Sequence, residues 1–319
     1  MIVIGENNSR PLDSVIATIG SFDGVHRGHR FLFSILSEQA RCRGMKSAVV
    51  SFHEHPQHVL RPFDDKLPLL TPGGEKLALL EELGIDYAIM LHFTPELAML
   101  SAHEFMRLLH DRYGVTALLV GYNHHFGHQG DITPDEYAEQ GRQVGVEVIR
   151  AQEFQAPDSV KVSSSAIRRL LLGGDVSRAA SILGRYYSIS GTVTTGQHIG
   201  TGLGFPTANV GSLSPQKLIP AHGAYAAIAT TADGNEFPTM VNIGTRPTVA
   251  QGDTTVSIEA HLIGFDSDIY GRTLTLKFVE RLRDEVRFSS VSRLVSQLES
   301  DRRRVCEIIG NIDSNSIIN

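Results

Sequence analysis

Hydrophobic positions in the first part of the chain switch repeatedly between two periods. Val15-Ile16-Ala17-Thr18-Ile19 is a short apolar and β-branched run closed by Gly20, which reads as a strand. Phe31, Leu32, Ile35, Leu36 and Ala40 then recur at helical spacing, and Gly44 stands where a helix would stop. The alternation continues. Strands are predicted over 48–52, 87–91, 117–120 and 146–149, and helices over 75–83, 104–112 and 134–144. Strands separated by helices predict a parallel sheet that takes ligands at the carboxyl ends of its strands.

Near Gly184 the pattern changes. Short β-rich runs over 188–195, 225–231, 239–243, 256–262 and 274–278 are punctuated by glycine, proline, asparagine and aspartate. Such spacing predicts a small antiparallel barrel. Val291, Leu294, Val295, Leu298, Val305 and Ile308 mark one closing helix, and residues 313–319 read as a tail. Gly173-Gly174-Asp175 and a short helix over 176–183 form the expected joint, so the domains are read as 1–183 and 184–319.

Composition narrows the function classes. A chain of 319 residues with 41% hydrophobic and 20% charged side chains can bury two cores and is not wholly disordered. A formal charge of −6 argues against nucleic acid as a partner. Two cysteines, Cys42 and Cys306, make neither a disulfide framework nor a cysteine-rich zinc site, and they suit a reducing compartment. The first residues show no basic stretch followed by an apolar one, and no apolar run spans a membrane. A cytoplasmic enzyme acting on small molecules is expected, without a membrane or nucleic-acid partner.

The chemistry begins after the first strand. There is no G-x-x-x-x-G-K-[ST] loop; instead Gly20-Ser21-Phe22-Asp23-Gly24-Val25-His26-Arg27-Gly28-His29 bridges strand and helix. Glycines permit a tight turn and close backbone approach to a phosphate, and a helix start favours anions. His26 and His29 fall on one face of the first turn, where two imidazoles can stabilise charge growing on phosphorus. Bare histidine pairs are as often structural or metal-binding, so the whole string carries the signal. Lys161-Val162-Ser163-Ser164-Ser165-Ala166-Ile167-Arg168 precedes a second helical run. Its serines read either as helix caps or, with Arg168, as a second anion site. Gly121-Tyr122-Asn123-His124-His125-Phe126-Gly127-His128 follows a further strand, with Asn123 a candidate nucleotide or flavin contact. The clusters His53, His55, His58 and His124, His125, His128 lack the carboxylate or cysteine company of a zinc site.

The string from Gly20 to His29 resembles the nucleotidyltransferase superfamily signature, and with Phe22 and Asp23 it is similar to bacterial FMN adenylyltransferases. The resemblance implies that Gly20, Phe22, Asp23, Gly24 and Gly28 shape an ATP site whose phosphates His26 and His29 contact. The string from Lys161 resembles the family's S-S-[ST]-x-I-R motif, which implies that Arg168 holds the outgoing pyrophosphate beside Ser163 and Ser164. The segment from Gly121 resembles the family's G-x-[DN]-F-x-F-G motif, with His124 in place of the usual aromatic and Gly130 arriving early.

The later half carries its own set. Gly200-Thr201-Gly202-Leu203-Gly204-Phe205-Pro206-Thr207-Ala208-Asn209 is followed by Asn242-Ile243-Gly244-Thr245-Arg246-Pro247-Thr248 and Ile258-Glu259-Ala260-His261-Leu262. Pro206 stiffens its loop, and Thr207 and Asn209 can aim oxygens at one ligand or Mg²⁺. These motifs, with Gly191-Thr192-Val193 and Gly223-Ala224-Tyr225-Ala226, look like a riboflavin kinase domain. That resemblance makes Glu259 the base on the riboflavin 5′-hydroxyl, and Gly204, Thr207 and Asn209 the residues serving ATP and Mg²⁺. Thr201 replaces a common arginine. The order of the two halves resembles the bifunctional prokaryotic riboflavin biosynthesis family. The implied fold is α/β: a nucleotidyltransferase-type, Rossmann-like parallel sheet, then a small antiparallel riboflavin kinase-like β-barrel with a closing helix. The implied chemistry is riboflavin plus ATP to FMN, then FMN plus ATP to FAD and pyrophosphate, with Mg²⁺ accompanying ATP. A kinase whose altered Asn123 loop disables adenylylation, and a flavin-binding regulator without turnover, are the alternative readings.

Overall fold

Five consecutive buried-type residues at 15–19 suit a strand covered on both faces, and the computed structural model makes them one. The structure describes residues 1–6, 13–60, 67–122, 126–128, 133–156, 161–195, 202–247 and 254–314. They divide into two compact units, Met1–Val162 and Ser163–Asn319. The sequence pattern changes later, at Gly184.

The first unit runs β1 (Ile2–Ile4), β2 (Val15–Ile19), α1 (Arg27–Arg43), β3 (Lys46–Phe52), α2 (Pro56–Leu60), α3 (Gly73–Glu82), β4 (Tyr87–Leu91), α4 (Pro95–Ala98), α5 (Ala102–Tyr113), β5 (Val115–Val120), α6 (Pro134–Gln143) and β6 (Glu147–Arg150). Its strands form one sheet in the order β1-β4-β3-β2-β5-β6, with every neighbouring pair parallel. Side chains alternate across each strand, so one sequence run feeds two cores. Val15, Ala17 and Ile19 face the core shared with Phe105, Met106 and Leu109 of α5. Ile16 faces the other way, toward Phe33, Leu36 and Ala40 of α1 and Leu80 of α3. Local chemistry sets the helix ends. Gly44 closes α1 at φ 64, and Ser101 with Glu104 forms a capping box ahead of α5. The three-residue β1 and the short α2 and α4 carry too little periodicity to be read in advance.

The second unit runs α7 (Ser164–Leu172), α8 (Val176–Leu183), β7 (Tyr187–Thr194), β8 (Ala208–Gly211), β9 (Gly223–Thr231), β10 (Glu236–Pro247), β11 (Thr254–Leu262), β12 (Thr273–Arg283) and α9 (Val291–Ser314). The strands close into a barrel, β10-β11-β8-β7-β12-β9, with antiparallel neighbours throughout. Tyr187, Ile189, Gly191 and Val193 alternate inward along β7. Gly191 is required there, because a Cβ would lie 2.4 Å from the Gly211 carbonyl oxygen. Sequence reading yields five of the six barrel strands; the missing one is β8, Ala-Asn-Val-Gly. Four residues of weak β-propensity become a strand because β7 and β11 pair with them from both sides. The closing helix α9 lies against β9, β10 and β12, and buries Val305, Ile308 and Ile309 there. Arg283 of β12 anchors it through Asp301 at 2.8 Å.

Candidate active sites

In the first unit the sheet order reverses at β2, with β3 on one side and β5 on the other. A reversal of this kind opens a ligand crevice at the strands' carboxyl ends. The turn from β2 into α1 lies at that end. Phe22, Gly24 and Val25 have φ of 46, 86 and 40. For Phe22 and Val25 this costs on the order of 1–3 kcal/mol each, so the surroundings must hold them. They do: both side chains are buried, and Phe22 packs edge-on against Phe33 at 4.9 Å.

His26 caps α1, its Nδ1 accepting the His29 backbone N–H at 3.3 Å. An N–H can only donate, so Nδ1 is bare and the neutral ring carries its proton on Nε2. The His26 and His29 rings stack at 3.6 Å, and Phe22 meets His29 edge-on at 5.2 Å. No acidic residue occupies the first turn of α1, which leaves the helix start favourable to anions.

Asp23 is 3% exposed, and its carboxylate accepts the N–H groups of Leu70 at 3.0 Å and Thr71 at 2.9 Å. The Thr71 hydroxyl donates to Asp23 at 3.2 Å and accepts the Gly24 N–H at 2.8 Å. Asp23 therefore latches the turn to the segment ahead of α3. Replacing it by alanine strands two buried N–H groups, and the expected loss is roughly 3 kcal/mol of stability. Denaturant unfolding of D23A checks this; an unchanged midpoint would show that the latch contributes nothing.

The structure carries Ser163, Ser164 and Arg168 on or beside α7, in the second unit. Ser163 caps this helix by accepting the Ala166 N–H at 3.2 Å, and Arg168 is buried at 7% exposure. Asn123, His124 and His125 lie outside the described residues, as do Gly200, Thr201 and Thr248. Among the described residues, no group of three or more His, Cys, Asp or Glu side chains could hold a metal ion.

The barrel's site is a row across three strands. Glu259 of β11 pairs in register with Asn209 of β8 on one side and Asn242 of β10 on the other. Directly opposed residues share a face, so one carboxylate sits between two amides. Thr207 immediately precedes β8. Its approach is pinned at two points: Phe205 is buried, and the Pro206 carbonyl accepts the His261 ring N–H at 2.8 Å. His261 also meets Phe205 edge-on at 5.3 Å, and the Arg302 guanidinium lies over that ring at 5.7 Å. Burial lowers the His261 pKa, which favours the neutral donor. Gly204 supplies the bend with φ 81. Thr207, Asn209 and Glu259 offer hard oxygen donors, a set that suits Mg²⁺ better than a soft metal.

Thus the structure brings Gly20, Phe22, Asp23, Gly24, His26, Gly28 and His29 together at one turn, and Gly204, Thr207, Asn209 and Glu259 on neighbouring parts of the barrel. Sequence reading missed Thr71, Lys76 and His261. Two of them carry a local signal: His261 lies in the motif around Glu259, and Lys76 has a helical spacing to buried Leu80 that places it on the inner face of α3.

A doubly wound sheet with a glycine turn at the carboxyl end of β2, followed by a closed barrel that offers a carboxylate and oxygen donors, is the frame of a two-domain phosphorus transferase. Residues 9–166 match the FAD synthetase family and 183–309 the riboflavin kinase family. The chain is 37% identical over 310 residues to the bifunctional riboflavin kinase/FMN adenylyltransferase of Pseudomonas fluorescens, covering 94% of this chain and 95% of that one. It is 36% identical over 304 residues to that of Escherichia coli K12 (94% of each) and 32% over 302 residues to that of Bacillus subtilis 168 (93% of each). A crystal structure described as a macrolide-efflux protein from Streptococcus pneumoniae superposes with a TM-score of 0.84 at 28% identity, covering 95% of this chain and 98% of that one. The chain belongs to the bifunctional riboflavin kinase/FMN adenylyltransferase family. Among the described residues, no helix is long and apolar enough to cross a membrane.

Proposed function

We propose that this chain converts riboflavin to FMN and FMN to FAD at two separate sites. Residues 1–183 transfer the adenylyl group, and residues 184–319 act as the kinase. The observation that carries the reading is that residues 9–166 match the FAD synthetase family and residues 183–309 the riboflavin kinase family, in that order on one chain.

In the kinase step the riboflavin 5′-hydroxyl oxygen attacks the γ-phosphorus of ATP, and the bond to ADP breaks. Glu259 accepts the hydroxyl proton as the new bond forms. Thr207 and Asn209 would hold Mg²⁺, which would neutralise charge on the phosphates when bound, and Gly204 lets the backbone come close to the nucleotide. In the adenylyl step an FMN phosphate oxygen attacks the α-phosphorus of a second ATP, and pyrophosphate leaves. The nucleophile is already anionic, so positioning and charge stabilisation carry the step. His26, through Nε2–H, and His29 donate to the phosphate oxygens; Ser163, Ser164 and Arg168 receive the pyrophosphate; Asn123 contacts nucleotide or flavin. No covalent enzyme intermediate forms. We place the protein in the cytoplasm, which suits its two exposed, unpaired cysteines.

Purified protein given riboflavin, ATP and Mg²⁺ should yield FAD, with FMN appearing first. FMN alone would mean that the adenylyl site is impaired, and no turnover would leave a flavin-binding role.

A further inference from the structure

Lys76 lies on the buried face of α3, 7% exposed, where a charged ammonium is costly unless acceptors meet it. Three do. Its Nζ donates to the Ser21 carbonyl at 3.1 Å, the Ser51 hydroxyl at 2.8 Å and the Phe52 carbonyl at 3.2 Å. An ammonium has three protons, so this set is complete. Ser21 lies just past β2, while Ser51 and Phe52 are the last residues of the adjacent β3. One side chain on a third element thus ties together the carboxyl ends of two neighbouring strands, at the edge where the turn begins. Ser21 also directly precedes Phe22, the first residue held at positive φ.

We infer that Lys76 is a positioning residue for adenylyl transfer, clamping the ends of β2 and β3 so that the strained turn presents His26 and His29 to the nucleotide. The inference rests on the reading that those histidines meet ATP phosphates. Lys76 touches neither of them. It acts by holding the Ser21 carbonyl, without which the turn can relax and carry the cap of α1 away. The charged or titratable groups around its recess are Asp23, His53, Glu54 and His55. Burial pulls the Lys76 pKa down to about 8, and the Asp23 carboxylate partly opposes this.

The full-length variant K76M tests the inference, with FMN formation by the same molecules as the internal reference. FAD formation from supplied FMN should fall about 100-fold in kcat, the usual effect of a displacement near 1 Å in a positioned site. The KM for FMN, FMN formation from riboflavin and the near-ultraviolet circular dichroism should stay unchanged. K76R, which keeps a permanent charge and several donors, should recover part of the loss.

A second measurement uses pH. In the unaltered protein the ratio of FAD to FMN formation should drop as pH rises through about 8, where a neutral amine has two protons for three acceptors. In K76R it should stay flat. Unfolding does not explain such a drop. The folded pKa is the lowered one, so between about 8 and the ordinary 10.5 the unfolded chain binds more protons, and stability from this group rises with pH. FAD formation by K76M within about twofold of normal overturns the inference. So does a loss that only tracks unfolded protein. If K76M does not fold, the pH ratio decides alone, and a flat ratio in the unaltered protein overturns it. H29A run alongside separates the two readings. Normal FAD formation in H29A removes the histidine site, whereas loss in H29A with activity kept in K76M removes only the role of Lys76.

Discussion

His29→Ala should cut FAD formation by about two to three orders of magnitude while FMN accumulates. Both imidazoles stand at the start of α1, but they are not equivalent. His26 also caps the helix, so its loss mixes a folding effect with a chemical one. His29 is held by stacking on His26 and by the edge of Phe22, so alanine removes a donor and leaves the cap acceptor in place. One preorganised donor to a developing phosphoryl charge is worth about 10²–10³ in kcat, and that is the loss expected in the adenylyl step. The proposed kinase site lies on β8, β10 and β11, so the kinase step should not change. Separating the flavins by chromatography after incubation with riboflavin, ATP and Mg²⁺ reads both steps in one tube. Equal loss of FMN and FAD formation in a folded protein would overturn the two-site arrangement. Unchanged FAD formation would remove His29 from the site.

What the sequence made legible follows from how local each cause is. The strand at 15–19 and the helix that starts at Arg27 are written in neighbouring residues, as is the glycine turn between them, and their positions can be read directly. β8 could not be read, because its strand character comes from pairing with β7 and β11, which adjoin it only in space. The same limit applies within the site. Asp23 reads as a phosphate-site residue by resemblance, yet its carboxylate is engaged by Leu70 and Thr71, 47 and 48 positions away in the chain. Ser163 presents the converse case. Its cap on Ala166 is the local role that serine before a helix predicts. His261 belongs to the motif around Glu259, but its work on Pro206 depends on a fold-level contact across 55 positions. Thus the candidate residues are visible in the sequence as residue types in motifs, while the residues that hold them in place largely are not.

Glu259→Gln separates charge from shape at the second site. Glutamine fills the same volume, keeps the register with Asn209 and Asn242, and still hydrogen-bonds; what it cannot do is accept the riboflavin hydroxyl proton. If Glu259 serves only as a partner in the row of polar side chains, the variant should work nearly as well as the unaltered protein. If it is the base, FMN formation should fall by about 10²–10⁴. Riboflavin binding, followed by quenching of flavin fluorescence, should change little, which places the loss in the chemical step. FAD formation from supplied FMN should continue, because that step draws no proton from its nucleophile. Glu259→Asp adds a geometric check. It restores the charge but withdraws it by one methylene, so activity should lie between that of the glutamine variant and the unaltered protein. Glutamine activity within about tenfold of normal would mean that another group, or water, takes the proton, and the polar row across β8, β11 and β10 would then be a binding surface for the nucleotide.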